Sequence, residues 1–168
     1  MLDTQQIELL GRNRLVNEII RADLEVSIPI RDRGIDLIVY ADRAERFSSR
    51  PIQMKSSQGE GRFQIDKKYE KFPDIIIAFV WHLADREKEI TYALTYTDTI
   101  MIATEMGYTE THSWRDLHGY SIEVNSRLRE LLKPYVGTPG RWRALVLGAP
   151  ADFKEPGMAS SSITIPAT

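Results

Sequence analysis

A mixed α/β layer built around one sheet is the architecture this sequence predicts, and three observations predict it. An amphipathic segment at the start has the spacing of a helix. Two later runs, IDLIVY and DIIIAFVW, are apolar enough for strands covered on both faces. The second half then breaks into short segments bounded by caps and stops, which reads as helices added after the sheet.

Taken in order, Thr4 to about Ala22 is the first helix. Leu15, Val16, Ile19 and Ile20 form its apolar stripe and Thr4 its N-cap. Glu25 to Arg31 alternates as a strand, with Val26, Ile28 and Ile30 on one face, and Asp32-Arg33-Gly34 signals a tight turn. Ile35 to Tyr40 is the second strand, expected to be central. A polar loop from Ala41 to Arg50 and a third strand around Pro51 to Ser56 follow. Phe63 to Phe72, short and charged, is expected as a helix stopped by Pro73. Asp74 to Trp81 is the clearest buried strand, and Ile90 to Thr95 its neighbour.

Thr97 or Asp98 can cap a helix through Met106 that stops at Gly107. Asn125 can cap another to about Lys133, ended by Pro134. A last helix begins near Pro139, anchored by Trp142. From about Gly148 the chain is rich in Ala, Ser, Pro and Thr and lacks periodicity, so 148–168 is expected as a poorly ordered tail behind a single domain spanning 1–147.

The chain has 168 residues, no cysteine and a formal net charge of −2. That length supports a core without staples, and the missing thiols exclude disulfides, thiolate nucleophiles and sulfur-based zinc sites. No apolar run approaches the ~20 residues a bilayer needs, and the polar start MLDTQQIE is unlike a signal peptide, so the cytoplasm is the expected location and no membrane partner is expected. A slightly acidic total argues against a protein that coats nucleic acid indiscriminately. The basic residues nevertheless concentrate between Arg12 and Lys71, which leaves room for a local basic groove.

Chemistry converges on one end of the expected sheet. A hairpin between the second and third strands makes them antiparallel, so Asp36 at the start of one and Gln53 and Lys55 toward the end of the other come together. Gln53 and Lys55, two apart, project from the same face. Carboxylate and carboxamide oxygens are hard ligands suited to Mg²⁺, and an ammonium beside them can orient water or offset charge on a phosphate.

The run G-I-D-L-I-V-Y followed by P-I-Q-M-K-S-S, behind an amphipathic helix and one strand, resembles the PD-(D/E)XK nuclease superfamily, in particular Mrr-type restriction endonucleases and Holliday-junction-resolvase-like proteins. The resemblance spans roughly residues 4 to 81 and its motifs are short. It implies a restriction-endonuclease-like αβββαβ core, here with helices added C-terminally, and a Mg²⁺- or Mn²⁺-dependent endonuclease acting on DNA. By this likeness Asp36 takes the motif aspartate, Gln53 the (D/E) position and Lys55 the lysine. Two departures stand out: Gly34, rather than proline, marks the approach to the aspartate, and position 53 is a glutamine, as in Mrr-type enzymes. A neutral ligand holds a cation less strongly, so the site must lean on other carboxylates.

The superfamily often adds a glutamate from the first helix. Glu8 lies in the half of the helix nearest Asp36 and on the side of Leu15 and Ile19; Glu18 lies at the far end, off the stripe. Glu8 is therefore the expected third ligand, with Asp36 and Gln53, although a gapless comparison with relatives would put Arg12 near that place. Cutting both strands of a duplex usually takes two sites, which makes a homodimer the natural assembly.

Each residue also has a plainer reading. Asp36 could close the Gly34 turn, Lys55 could extend to solvent, and Gln53 could be a satisfied polar residue at an edge. Ser56, Ser57 and Gln58 fit phosphate contact and strand ending equally. Lys67, Lys68, Tyr69 and Lys71 could follow a phosphate backbone, but a solvated face is the commoner meaning of such a run. His82 is read as structural, His112 and His118 as parts of an irregular segment, and Trp114, Tyr120 and Trp142 as packing aromatics. The competing function is a nuclease-fold module with weakened catalysis that binds nucleic acid or a protein partner. An accessory protein without nucleic-acid contact is the third option.

Overall fold

The computed structural model describes residues 2–148 apart from Asp32, Glu45 and Pro73. The expected tail therefore lies outside the described residues except for Gly148, which closes the last helix in the left-handed region at φ 66°.

Helix α1 (Thr4–Arg21) begins with Asp3, not Thr4, as its N-cap. Asp3 accepts from the Gln6 backbone while the Gln6 side chain returns the bond to the Asp3 backbone, a complete capping box. Its buried stripe is Gly11, Leu15 and Ile19. Ile20, expected in that stripe, points largely to solvent.

Strands β1 (Glu25–Ser27), β2 (Leu37–Arg43), β3 (Arg46–Ser56), β5 (Ile76–Trp81) and β6 (Ile90–Thr95) form one sheet in the order β1-β2-β3-β5-β6. The β3–β5 pair is parallel and the others antiparallel. The remaining strands, β4 (Arg62–Asp66) and β7 (Gly119–Glu123), pair separately. The protein is thus a mixed α/β structure.

Strand β5 is buried along its whole length, as the run IIAFVW requires. Its side chains divide by parity. Ile76, Ala78 and Val80 join Leu15, Ile19, Ile52 and Met54 beneath α1 and the last helix, α5 (Pro139–Leu147). Ile77, Phe79 and Trp81 join Phe63, Tyr69 and Tyr120 on the opposite face. Burying each large aliphatic side chain contributes about 1.5–3 kcal/mol, so the sheet is clamped from both sides. That second face is also covered by α2 (Tyr96–Glu105), α3 (His112–Asp116) and α4 (Ser126–Leu132).

Several expectations change. The first strand ends at Ser27, and Ile28 and Ile30 are exposed. The turn expected at Asp32-Arg33-Gly34 falls partly outside the described residues, since it includes Asp32. Strand β2 lies inside the sheet, between β1 and β3, as expected of it, and β3 is the middle strand. The polar loop expected at Ala41–Arg50 is a hairpin whose strands pair as far as Arg43 and Arg46. Pairing rather than apolar patterning holds it. The helix expected at Phe63–Phe72 is strand β4 followed by a 3₁₀ turn at Lys67–Tyr69. Phe63 and Ile65 alternate with polar neighbours, and a partner strand far along the chain, Gly119–Glu123, decides the matter. That strand was unforeseen, as was the short helix α3 within the segment read as irregular. Helix α2 is capped by Thr95, earlier than Thr97 or Asp98, and stops before Gly107, which has φ 76°. Asn125 caps α4 and Thr138 precedes Pro139 in α5, as the sequence implies. Trp142 and Tyr120 are buried, and Trp114 packs against Tyr120.

Candidate active site

The site forms where β2 and β3 part. Their first ladder pair is Leu37 with Ile52, so continuing the register by one residue sets Asp36 opposite Gln53. The Asp36 backbone N–H still donates to the Ile52 carbonyl, at 2.8 Å. Beyond that point β3 runs on to Ser56 paired only with β5. The Asp36 side chain then substitutes for the missing strand: its Oδ2 accepts from the Met54 backbone N–H at 2.5 Å.

Gln53 is built into the same fork. It is buried, its Nε2 donates to Asp36 Oδ2 at 2.7 Å and to the Met54 carbonyl at 2.9 Å, and its Oε1 accepts from the Tyr69 hydroxyl at 2.5 Å. The amide orientation follows from its neighbours. Asp36 and the Met54 carbonyl are both acceptors, so the NH₂ end must face them. Tyr69, 3% exposed, also presses on Gly34, where an added Cβ would stand 3.3 Å from the ring. Gly34 has φ 89°, a conformation that glycine alone adopts freely, so this turn needs glycine on two counts.

Lys55 extends from the same face as Gln53. Its ammonium lies 6.0 Å from the centre of the Tyr69 ring. Burial pushes its pKa below the ordinary lysine value, nearby Lys68 adds to the fall, and Asp36 and Asp66 oppose it. Lys68 sits over the other part of this group, 4.9 Å from the Tyr69 ring centre and 3.2 Å from an Asp66 oxygen. Tyr69 and Asp66 thus belong to the site, although the sequence pointed to neither in that role. Their signal was masked because one ends and the other follows a strand that itself read as a helix.

Glu8 stands across a cavity of ≈ 320 Å³ that it lines together with Thr4, Ile7, Asp36, Met54 and Ser56. It is half-exposed and meets Arg12 of the next turn at 2.6 Å. The buried stripe runs beside Glu8, through Gly11 and Leu15, so Glu8 looks over the sheet's end rather than into the core. Lys55 lines a separate cavity of ≈ 370 Å³, and Met54 and Ser56 border both. Asp36 and Glu8 therefore border one cavity and Lys55 the other, with Gln53 bonded to Asp36.

Glu18 is not part of it. It lies at the other end of α1 but, contrary to the expectation that it sits off the packed face, it turns inward. It accepts from Thr91 at 2.8 Å and Trp142 Nε1 at 3.3 Å, with Arg14 at 3.0 Å. Burial raises its pKa above the ordinary carboxylate value, against the lowering influence of those three partners.

The basic segment splits in the folded chain. Lys67 lies over Trp114 and Lys71 over Phe72, so only Lys68 borders the fork. His112 pairs with Asp116, and His82 closes β5 with φ 62°.

Two carboxylates and a carboxamide suit a hard divalent cation that keeps much of its water shell. Among the described residues no group of three or more His, Cys, Asp or Glu side chains gathers as a metal site, so any cation here would depend on that water. Among the described residues no helix is long and apolar enough to cross a membrane. Comparison of the chain with protein-family models, curated proteins and solved structures found no match.

Proposed function

We propose that this chain is a Mg²⁺- or Mn²⁺-dependent DNA endonuclease with a restriction-endonuclease-like core of the PD-(D/E)XK kind. The observation that carries the reading is the fork itself. Asp36 faces Gln53 across a ladder that ends one residue earlier, Lys55 follows on the same face, and Glu8 lines the cavity beside Asp36. One helix, three strands and a later strand parallel to β3 support the same core, although β4 and its 3₁₀ turn stand where the αβββαβ order has its second helix.

Asp36 and Glu8 would hold the cation, with Gln53 as a neutral third donor. A bound cation would lower the pKa of a coordinated water and offset charge on the phosphate. Met54 fixes Asp36 through its backbone N–H, so the carboxylate is oriented before anything binds. Lys55 places a positive charge where the scissile phosphate would lie. Because burial and Lys68 already disfavour that charge, an approaching phosphate gains more from it than from a solvated lysine. Hydrolysis adds water across one P–O bond, leaving a phosphate monoester on one fragment and a hydroxyl on the other.

Purified protein incubated with plasmid and branched DNA in Mg²⁺, Mn²⁺ or EDTA tests this. Metal-dependent cutting is expected, with Lys55→Ala slower by about 10²–10³-fold and Asp36→Ala slower still. Cutting at wild-type rate by Asp36→Ala would remove the assignment.

One observation favours the second reading, a nuclease-fold module that binds nucleic acid or a partner without cleaving. Gln53 turns its NH₂ end, not its oxygen, toward Asp36. In that case Mg²⁺ binding would be absent, or would not depend on Asp36.

A further inference from the structure

Resting on the proposed metal site, we infer that Tyr69 is a positioning residue whose hydroxyl lets the Gln53 amide turn over when a divalent cation binds at Asp36. The amide now has every polar atom engaged: NH₂ to Asp36 and to the Met54 carbonyl, oxygen to Tyr69. In this orientation Gln53 is a donor, and a donor cannot ligate a cation. A half-turn of the amide brings its oxygen toward Asp36 and its NH₂ toward Tyr69.

At Asp36 and the Met54 carbonyl, which only accept, the cation takes the place of the departing NH₂; at the other end of the amide a backbone N–H or a carbonyl would forbid the exchange, since the one only donates and the other only accepts. A phenol does either. Tyr69 donates to the amide oxygen in the resting arrangement and accepts from the NH₂ in the turned one. The ring itself has no room to leave: it is buried, with Gly34 against its edge and Lys68 over its face. A fixed phenol beside a turning amide gives position 53 what a glutamate there would lack, a state in which Asp36 is not faced by a second negative charge. The cation then competes with Gln53 for Asp36 and afterwards recruits it.

The full chain labelled with ¹⁵N-glutamine supplies the test, with the Gln53 NH₂ signals identified by their loss in Gln53→Glu. Titration with Mg²⁺ should move both Gln53 NH₂ protons as they trade Asp36 and the Met54 carbonyl for Tyr69, and should leave the solvent-facing Gln5 and Gln6 in place. In Tyr69→Phe the turned amide loses its acceptor, and calorimetry should show Mg²⁺ bound about fivefold more weakly, the loss of roughly one net hydrogen bond. Gln53 signals that stay fixed at saturating Mg²⁺, in a protein whose Mg²⁺ binding still requires Asp36, would overturn the inference and leave the metal site standing. Absence of Asp36-dependent Mg²⁺ binding would overturn both. The titration of the unmodified chain holds even if the variant folds poorly.

Discussion

Helix α1 carries a glutamate near each end, and the two have opposite fates. Glu18 is enclosed: Thr91, Trp142 and Arg14 each direct a donor at it, and Arg14 is held in turn by Glu89 at 2.6 Å. Glu8 has Arg12 of its own helix as its ion-pair partner, half in solvent, with an open cavity between it and Asp36. Similar chemistry on one element therefore serves two ends. A carboxylate whose lone pairs are already matched by buried donors holds the fold together, whereas one loosely paired beside a cavity is available to a ligand. Burial alone would rank Glu18 above Glu8 as a functional candidate; the partners at the two ends favour the reverse order.

The largest effect should come from breaking the enclosed end. Glu18→Ala strands the Thr91 hydroxyl and the Trp142 N–H and removes a partner of Arg14, so a loss of about 2–3 kcal/mol in a denaturant melt is expected. A change under 0.5 kcal/mol would mean that Glu18 is not the keystone of that network. At the open end the expectation inverts. Glu8→Gln should leave stability within about 0.5 kcal/mol while weakening Mg²⁺ binding by at least about tenfold, since a neutral amide replaces one of the two carboxylates that would hold the cation. Calorimetry reads the second quantity, and unchanged affinity would hand the role elsewhere.

A smaller change sharpens the contrast further. Arg12→Ala removes an exposed pair worth about 0.3–0.5 kcal/mol, so Mg²⁺ should bind about twofold more tightly once Glu8 is released; weaker binding would show that Arg12 orients Glu8 rather than competing for it. The smallest effect concerns pH. The Glu18 pKa is raised on folding, so its protonated form stabilises the fold below the ordinary carboxylate value of 4.5, and that contribution is lost as pH rises through the folded value. Glu18→Gln should therefore lose less stability than the natural chain over the interval just above pH 4.5. Parallel curves for the two proteins would contradict the shift.

What was legible in the sequence follows the range of the interactions involved. The first helix, the buried β5 run and the Asn125 cap depend on near neighbours, and each is found where local pattern sets it. The convergence of Asp36 and Gln53 was also readable, because a hairpin with a two-residue side-chain period fixes which positions meet. Strand β4 was not, since its partner lies beyond two sheet strands and two helices. With it went Asp66 and Tyr69, which the β4 turn delivers to the fork. Glu18 was hidden for a related reason: two of its three donors come from β6 and α5, invisible to a helical wheel. The orientation of the Gln53 amide was beyond any pattern, because three separate groups set it.

Gly11 gives the open end a further property. A Cβ there would stand 2.9 Å from Ser56 Cβ and 3.1 Å from Met54 Sδ, so at Gly11 the α1 backbone rests on the side chains of the last residues of β3 with none of its own between. Those same residues border the cavity that Glu8 overlooks. The glycine therefore acts as a gauge block: it sets the height of the helix above the sheet and, through the helix, the span between Glu8 and Asp36. Substitutions at position 11 would change that span in small increments while leaving both carboxylates in place, turning affinity for a cation of known radius into a ruler for the gap.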